Sequence, residues 1–191
     1  LYHPRTHKIE VDNEEIKVLK DKKIVLYQGH IMRSRNLDAL CEAIKTLPDF
    51  VLVLMGSSHN NYLEELKMKY PNIVHLGFFN PPTHLYVTSH AYIGVVTYGY
   101  SVLNTIYCAP NKIWEYSGFA IPMIGNQLPG LIYTIGKYQA GSCIDMKSPS
   151  EIKKAILRID KDYQEYSENS EKMFETVDVK ELILSIAKEI V

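Results

Sequence analysis

Short apolar runs alternate with amphipathic stretches along most of the chain, and this pattern limits the possible fold more than any other feature. In the predicted strands at residues 24–28 and 50–55, apolar side chains occupy successive positions, from 24 to 27 and from 50 to 55, so both faces of each predicted strand are buried. Between them, from Leu37 to Leu47, apolar residues recur at the spacing of one helix face. Strands of this kind separated by helices are typical of a parallel sheet covered on both sides. We therefore predict a doubly wound, Rossmann-like α/β domain.

The alternation continues to the end of the chain. Further strands are predicted at residues 73–76, 91–96, 121–124 and 140–144. Further helices are predicted at residues 62–70 and 83–89, from Pro110 onward, and at 149–174 and 179–190. The sequence shows no internal repeat, so we expect one domain of this class.

Composition excludes several classes of function. The 191 residues carry 21 Lys+Arg and 22 Asp+Glu, a net charge of −1, which argues against a protein that binds nucleic acid by bulk charge. No apolar run approaches the roughly 20 residues of a membrane-spanning helix. Cys41, Cys108 and Cys143 are odd in number and widely spaced, as expected for reduced thiols in the cytosol. The seven histidines show no paired spacing typical of a metal site.

Three regions are predicted along the chain. Residues 1–22 are polar and lack an apolar pattern, so we expect a linker or lead-in from an N-terminal domain that the sequence does not include. Residues 23–175 form the predicted Rossmann-like domain. Residues 176–191 form a predicted C-terminal helix that packs toward the missing domain.

The loop after the first strand suits an anion. In such sheets a ligand binds outside the carboxyl ends of the strands. This loop holds a single glycine, Gly29, so it lacks the G-x-G-x-x-G pattern of a dehydrogenase-type dinucleotide site. It also holds Arg33 and Arg35, whose guanidinium groups match phosphate oxygens. An ordinary turn with a solvated basic rim is the alternative.

A second anion site is predicted where a helix begins at Pro110. Proline suits the first helical position, which leaves the amides of Asn111 and Lys112 free to bind phosphate at the helix N-terminus. Glu115 lies one turn further along the same face as Asn111, where a carboxylate can accept hydrogen bonds from ribose hydroxyls. Alternatively, Glu115 pairs with a lysine or arginine on a solvated face.

Four segments together resemble a known family. They are Ile24-Val-Leu-Tyr-Gln-Gly29, Val51-Leu-Val-Leu-Met-Gly56, Val74-His-Leu-Gly77 and, above all, Pro110-Asn-Lys-Ile-Trp-Glu-Tyr-Ser-Gly-Phe-Ala-Ile-Pro122. In this order they resemble the group 1 glycosyltransferases, glycosyltransferase family 4. The resemblance covers residues 23 to 159 and implies the C-terminal, donor-binding half of a two-domain GT-B fold.

The resemblance implies roles for individual residues. Glu115 matches the second glutamate of the family's E-x(7)-E motif, which holds the ribose of the nucleotide. The first glutamate falls on Tyr107, a departure that leaves Tyr107 as the expected contact to the sugar. The remaining implied contacts are Gly29, Arg33, Arg35, Asn111 and Lys112 to the diphosphate, and Leu76 and Phe78 to the base. His30 stands where the family often has an arginine.

The function implied is transfer of a glycosyl group from a UDP-sugar or GDP-sugar, with retention, in the synthesis of surface polysaccharide or glycolipid. The resemblance implies no cofactor and no metal, and no certain catalytic residue in this half. An acceptor sugar or glycolipid would bind through the missing N-terminal domain, so we expect the fragment alone to be inactive. A cytoplasmic protein, peripheral at the inner membrane surface through that half, is expected. The alternatives are a sugar-nucleotide epimerase of GT-B fold and a non-catalytic α/β binding module.

Overall fold

The computed structural model describes residue 19, residues 21–108 and 110–176, and residues 181, 184, 185, 187 and 188. Within these residues six parallel strands form one sheet. The strands are β1 (Lys23–Gln28), β2 (Phe50–Met55), β3 (Val74–Gly77), β4 (Ile93–Val96), β5 (Met123–Asn126) and β6 (Gly141–Ile144). Their order across the sheet is β3-β2-β1-β4-β5-β6. The doubly wound Rossmann-like fold predicted from the sequence is confirmed.

Helices connect the strands. They are α1 (Leu37–Ile44), α2 (Tyr62–Lys69), α3 (His84–Thr88), α4 (Leu103–Tyr107), α5 (Asn111–Gly118), α6 (Pro129–Leu131), α7 (Pro149–Lys161) and α8 (Tyr163–Glu175). A 3₁₀ turn, Arg33–Arg35, precedes α1, and a π-helical turn, Ile132–Gly136, continues α6. None of the described helices is long and apolar enough to cross a membrane.

Two apolar layers cover the sheet, one on each face. Val25 and Tyr27 of β1 pack on one side with residues of α1, α2 and α7. Leu26, between them, packs on the other side with residues of α3, α5, α6 and α8. Successive side chains of a strand point to opposite faces. The runs are therefore apolar at every position because both faces of the sheet are buried.

The structure differs from the sequence-based prediction in several elements. The short helices α4 and α6 lie in segments predicted as loops, and the exposed apolar side chains of α4 give no amphipathic pattern to detect. The helix predicted at 149–174 is two helices that meet at Asp162, whose backbone is not helical. Residues 1–18 and most of 179–190, predicted as a lead-in and a last helix, lie outside the described residues. Cys41, Cys108 and Cys143 are free thiols, as predicted.

Candidate functional site

A cleft opens where the strand order reverses. Strand β1 pairs with β2 on one side and with β4 on the other, so the loops that leave β1 and β4 turn in opposite directions. The cleft has a volume of about 380 Å³. Of the residues predicted to form a site, those that line it are Gly29, Phe78, Asn111, Lys112 and Glu115.

Two glycines let the first two loops touch at the base of the cleft. Gly29 and Gly56 have φ values of +136° and +146°, which side-chain-bearing residues rarely adopt. A Cβ atom on Gly56 would lie 2.0 Å from the carbonyl oxygen of Gly29. The amide of Gly29 donates to the carbonyl oxygen of Met55 at 2.9 Å, which ties the two loops together. Glycine is required at Gly56 because backbone approaches backbone there, and at Gly29 because of its φ value and because a Cβ would lie 2.9 Å from the Lys112 ammonium.

Helix α5 presents its N-terminus to the cleft. The helix begins at Asn111 with Pro110 as its N-cap, so the prediction that Pro110 is the first helical residue is wrong by one position. The amide of Ile113 donates to the Pro110 carbonyl oxygen at 3.0 Å. The amides of Asn111 and Lys112 stand in the first turn, where no acceptor within the helix is available to them. This end of α5 is suited to bind an anion.

Two cations share one aromatic ring beside this helix. The guanidinium carbon of Arg35 lies 4.2 Å from the ring centroid of Tyr98, and the Lys112 ammonium lies 5.3 Å from the same centroid. The Lys112 ammonium is also 5.3 Å from the ring of Tyr27 and donates to the carbonyl oxygen of Gln28. Cation–π contacts of this kind hold the charges in place without neutralising them.

The two cations repel each other, and the Glu115 carboxylate offsets only part of the effect of Arg35 on Lys112. Burial first, and the neighbouring Arg35 guanidinium second, lower the pKa of Lys112 to about 8. Burial likewise raises the pKa of Tyr98 to about 12, so its ring stays neutral. Arg35 Nε is buried and has no hydrogen-bond partner in the part of the chain that the structure describes. An anion bound here would relieve both the repulsion and the unpaired donor.

Glu115 is held by an amide and an imidazole side chain. Gln28 Nε2 donates to Glu115 Oε2, and His84 Nε2 lies 3.1 Å from Glu115 Oε1. The Glu115 side chain is 16% exposed, so it is not on a solvated face. Its partners are neither lysine nor arginine. The Glu115 carboxylate therefore lines the cleft and does not form an ion pair with a surface lysine or arginine.

The sequence model of a family described as glycosyl transferases group 1 matches residues 8–175. The chain belongs to this family. Among solved structures, it is similar to Anabaena HepE in complex with UDP-glucose, at 14% identity and a TM-score of 0.72 over 94% of this chain and 53% of that one. It is also similar to sucrose-phosphate synthase from Thermosynechococcus elongatus, at 19% identity and a TM-score of 0.73 over 93% of this chain and 47% of that one.

A third similar structure is the C-terminal domain of the group 1 protein LpcC from Francisella tularensis. It shares 16% identity and a TM-score of 0.67 over 90% of this chain and 93% of that domain. The chain spans 35% of the first full-length match, a pneumococcal O-GlcNAc transferase, and about half of the next ones. These likenesses establish the fold. No curated protein sequence matches the chain.

Three predicted site residues of this group 1 glycosyltransferase lie away from the cleft. Arg33 forms an ion pair with Glu65, and its side chain is 64% exposed. Tyr107 ends α4 with its side chain exposed, and Leu76 packs against the apolar layer on one face of the sheet. Arg35 does not line the cleft and joins the cluster through Tyr98.

Four further residues belong to the candidate site but were not predicted from the sequence: Gln28, His84, Thr88 and Tyr98. Gln28 is a buried amide at the end of an otherwise apolar strand, which is itself a signal. His84 and Thr88 are four positions apart and so share one face of α3. Tyr98 lies two residues after the end of β4, at the edge where ligands bind.

No group of three or more His, Cys, Asp or Glu side chains suited to a metal ion occurs among the described residues. His30, at the cleft, lies with Nδ1 3.2 Å from the hydroxyl of Ser57, and its ring centroid is 5.5 Å from that of His59.

Proposed function

We propose that this chain is the donor-binding part of a glycosyltransferase that uses a UDP-sugar or GDP-sugar and transfers the glycosyl group with retention. One observation carries the proposal. The N-terminus of α5, the buried cation of Lys112 and the carboxylate of Glu115 line one cleft at the switch point of the sheet. This places an anion-binding group and a hydroxyl-binding group one helical turn, about 5.4 Å, apart.

Each group has a role in such a reaction. The diphosphate would bind the amides of Asn111 and Lys112 and the ammonium of Lys112, with Arg35 adding charge nearby. The ribose hydroxyls would donate to Glu115. The exposed ring of Phe78 would lie against the base. These fixed charges would stabilise the negative charge that develops on the departing diphosphate.

The donor site also argues for transfer rather than epimerisation. An epimerase of this architecture would use carboxylate acid and base groups in the cleft. Among the described residues that line the cleft, Glu115 is the single carboxylate. We further propose that the reaction needs no metal, since the cations named above occupy the position where charge is required.

The remaining parts of the proposal concern the whole protein. The chain spans about half of several similar solved structures, so we propose that the acceptor sugar or glycolipid binds to a part of the protein outside these residues. Synthesis of surface polysaccharide or glycolipid, in the cytoplasm and at the inner membrane surface, remains the proposed setting.

Calorimetric titration with UDP, GDP and ADP, each with and without EDTA, tests the proposal. We expect one nucleotide to bind selectively and with the same affinity in EDTA. Equal affinity for all three, or loss of binding in EDTA, would contradict the proposed donor site.

Glu115→Ala should weaken binding of that nucleotide by about 1–3 kcal/mol, roughly 10- to 100-fold, because ribose hydroxyls would lose a charged acceptor. The same titration measures this change. Glu65→Ala is the matched control, since Glu65 is an exposed helical glutamate away from the cleft. An unchanged affinity in Glu115→Ala would remove Glu115 from the site.

A further inference from the structure

A chain of hydrogen bonds surrounds the carboxylate of Glu115, and we name its members, Thr88, Gln28, His84 and Glu115, the carboxylate clamp. The hydroxyl of Thr88 donates to Gln28 Oε1 at 2.9 Å, and Gln28 Nε2 donates to Glu115 Oε2. His84 Nε2 lies 3.1 Å from Glu115 Oε1. A carboxylate only accepts, so His84 carries its proton on Nε2. Each oxygen of Glu115 therefore has one donor from the protein.

Burial makes this arrangement hard to disturb. Thr88 is fully buried and Gln28 nearly so, while the His84 and Glu115 side chains are 13% and 16% exposed. Breaking a contact would leave a buried polar group unpaired, which costs more than the hydrogen bond itself contributes. The carboxylate is consequently fixed before any ligand arrives.

Glu115 decides which way the Gln28 amide faces, and Thr88 holds the amide in that direction. The Thr88 hydroxyl lies 2.9 Å from Gln28 Oε1 and 3.1 Å from the carbonyl oxygen of His84. Because a carboxylate only accepts, the Gln28 amide nitrogen turns toward Glu115 and the amide oxygen turns toward Thr88, whose hydroxyl donates to it. Thr88 itself does not line the cleft, so it acts on Glu115 through Gln28.

The clamp leaves Glu115 with capacity for two more donors. An ionised carboxylate offers about four lone-pair positions, two on each oxygen, and the clamp occupies one on each. A vicinal diol presents two hydroxyl donors side by side, one for each oxygen. A ribose offers such a diol at its 2′ and 3′ positions, whereas a 2′-deoxyribose offers a single hydroxyl.

We propose that Gln28, His84 and Thr88 are positioning residues that orient Glu115 for a vicinal diol and so make the site selective for ribonucleoside over 2′-deoxyribonucleoside diphosphates. This inference rests on the proposed function, since it concerns the same carboxylate. Gln28 and His84 hold the carboxylate directly, and Thr88 holds it through Gln28.

The test compares two affinities in each variant of the 191-residue chain. Calorimetry measures the dissociation constants of UDP and 2′-deoxy-UDP, and of GDP and 2′-deoxy-GDP. We expect the wild-type chain to bind one ribonucleotide roughly 10- to 100-fold more tightly than its 2′-deoxy form, the range for a hydrogen bond to a charged group. The ratio of the two affinities, rather than either alone, reports the orientation of Glu115.

Thr88→Val and Thr88→Ser form the decisive pair. Valine keeps the shape of threonine and removes the hydroxyl, whereas serine keeps the hydroxyl. We expect the ratio to fall below about threefold in Thr88→Val and in His84→Leu and to stay near the wild-type value in Thr88→Ser. His90→Ala, at an exposed histidine just beyond α3, is the control for His84. A change that only loosened the fold would lower both affinities together and leave the ratio unchanged.

Three results would overturn the inference. An unchanged ratio in both Thr88→Val and His84→Leu would leave the donor site standing and remove the positioning role. Tighter ribonucleotide binding by His84→Leu would mean that His84 competes with the ligand for Glu115. Binding of no nucleoside diphosphate by the wild-type chain would overturn the proposed function, and this inference with it. Thr88→Val keeps the shape of the side chain and removes only the hydroxyl, so it is a second, independent test if His84→Leu fails to fold.

Discussion

Neighbouring side chains with the same charge take different roles depending on where the backbone aims them. Arg33 and Arg35 belong to the same 3₁₀ turn. Arg33 is exposed and pairs with Glu65, whereas Arg35 is anchored by donation from Nη1 to the carbonyl oxygen of Thr97 at 3.1 Å. An exposed ion pair contributes little, while a partly buried cation without counter-charge attracts an anion.

The two arginines should therefore differ in a binding experiment. Arg35→Ala should weaken nucleoside diphosphate binding by about 10- to 100-fold, because a charged donor near the phosphates is lost. Arg33→Ala should change it by less than about threefold. Calorimetry of both variants with the same nucleotide measures this. Equal losses in the two would mean that Arg33 leaves Glu65 and turns toward the ligand.

Lys112 makes binding depend on pH. Its pKa of about 8 in the free protein means that it loses its charge as the pH rises through that value. A bound diphosphate favours the protonated form. Affinity should thus fall by about tenfold between roughly pH 7 and pH 9. Lys112→Met should bind the nucleoside diphosphate more weakly than wild type, and its affinity should change little over this pH interval. Calorimetric titration of wild type and Lys112→Met at several pH values measures both effects.

The stability of the free protein should depend on pH in the opposite direction to nucleotide affinity. The pKa of Lys112 rises to its ordinary value of 10.5 in the unfolded chain, so between about pH 8 and pH 10.5 the unfolded state binds a proton that the native state lacks. The contribution of Lys112 to the free energy of unfolding therefore rises with pH. Urea unfolding at several pH values measures this effect. Between about pH 8 and pH 10.5, the free energy of unfolding plotted against pH should have a different slope in wild type and in Lys112→Met. Parallel slopes would contradict the lowered pKa.

At the scale of elements, the packing of α5 on the sheet determines where the site lies. Tyr116 is fully buried, and its hydroxyl donates to the carbonyl oxygen of Leu26 at 2.9 Å. Its ring lies directly over Gly94 of β4. The same helix carries Lys112 and Glu115. The contact between Tyr116 and Gly94 therefore fixes how far these two residues lie from the sheet.

A methyl group at Gly94 should push α5 outward. The Cβ atom of Gly94→Ala would lie 2.5 Å from the ring of Tyr116, too close for any real contact. We expect a loss of about 1–3 kcal/mol in the free energy of unfolding and weaker nucleotide binding, because overpacking moves the helix. Urea unfolding measures the first effect. Gly136→Ala is the control, since its nearest atoms would be at 3.7 Å and it should change stability little. A stable Gly94→Ala would show that α5 shifts freely.

At the scale of the whole molecule, exposed apolar side chains cluster on the surface around α4. We define the apolar patch as Tyr100, Val102, Leu103, Tyr107, Ile132 and Tyr133, all exposed. They belong to α4, the segment before it and the turn after α6, and α4 packs against α6. Patches of this kind mark contact surfaces. We therefore expect another surface to pack against the patch.

Residues of the patch should contribute little to the stability of this chain. Leu103 is 72% exposed, so Leu103→Ala should change the free energy of unfolding by less than about 0.5 kcal/mol. Leu131 on α6 is fully buried, so Leu131→Ala should cost about 2–5 kcal/mol. Urea unfolding of the two variants makes the comparison. A large loss from Leu103→Ala would show that the patch is covered within this chain.

The sequence by itself determined the parallel sheet, its order of strands and helices along the chain, and the place of α5. These features depend on local periodicity, because strands buried on both faces and helices with one apolar face differ in spacing. Local sequence spacing also placed Asn111, Lys112 and Glu115 at one end of one helix. It also explains the misplaced start of that helix, since Pro110 satisfies the N-cap and the first helical position almost equally well.

Only the tertiary structure decided what these residues touch. Gln28 and Glu115 are 87 positions apart, and Gln28 and Thr88 are 60 apart. They meet because the strand order brings the end of β1 beside α3 and α5. The difference between Arg33 and Arg35 likewise depends on which neighbour each reaches across the sheet edge. The spacing of side chains along the sequence predicts which face of a helix or strand each residue lies on. Its partner across the cleft depends on packing between elements that are distant in sequence.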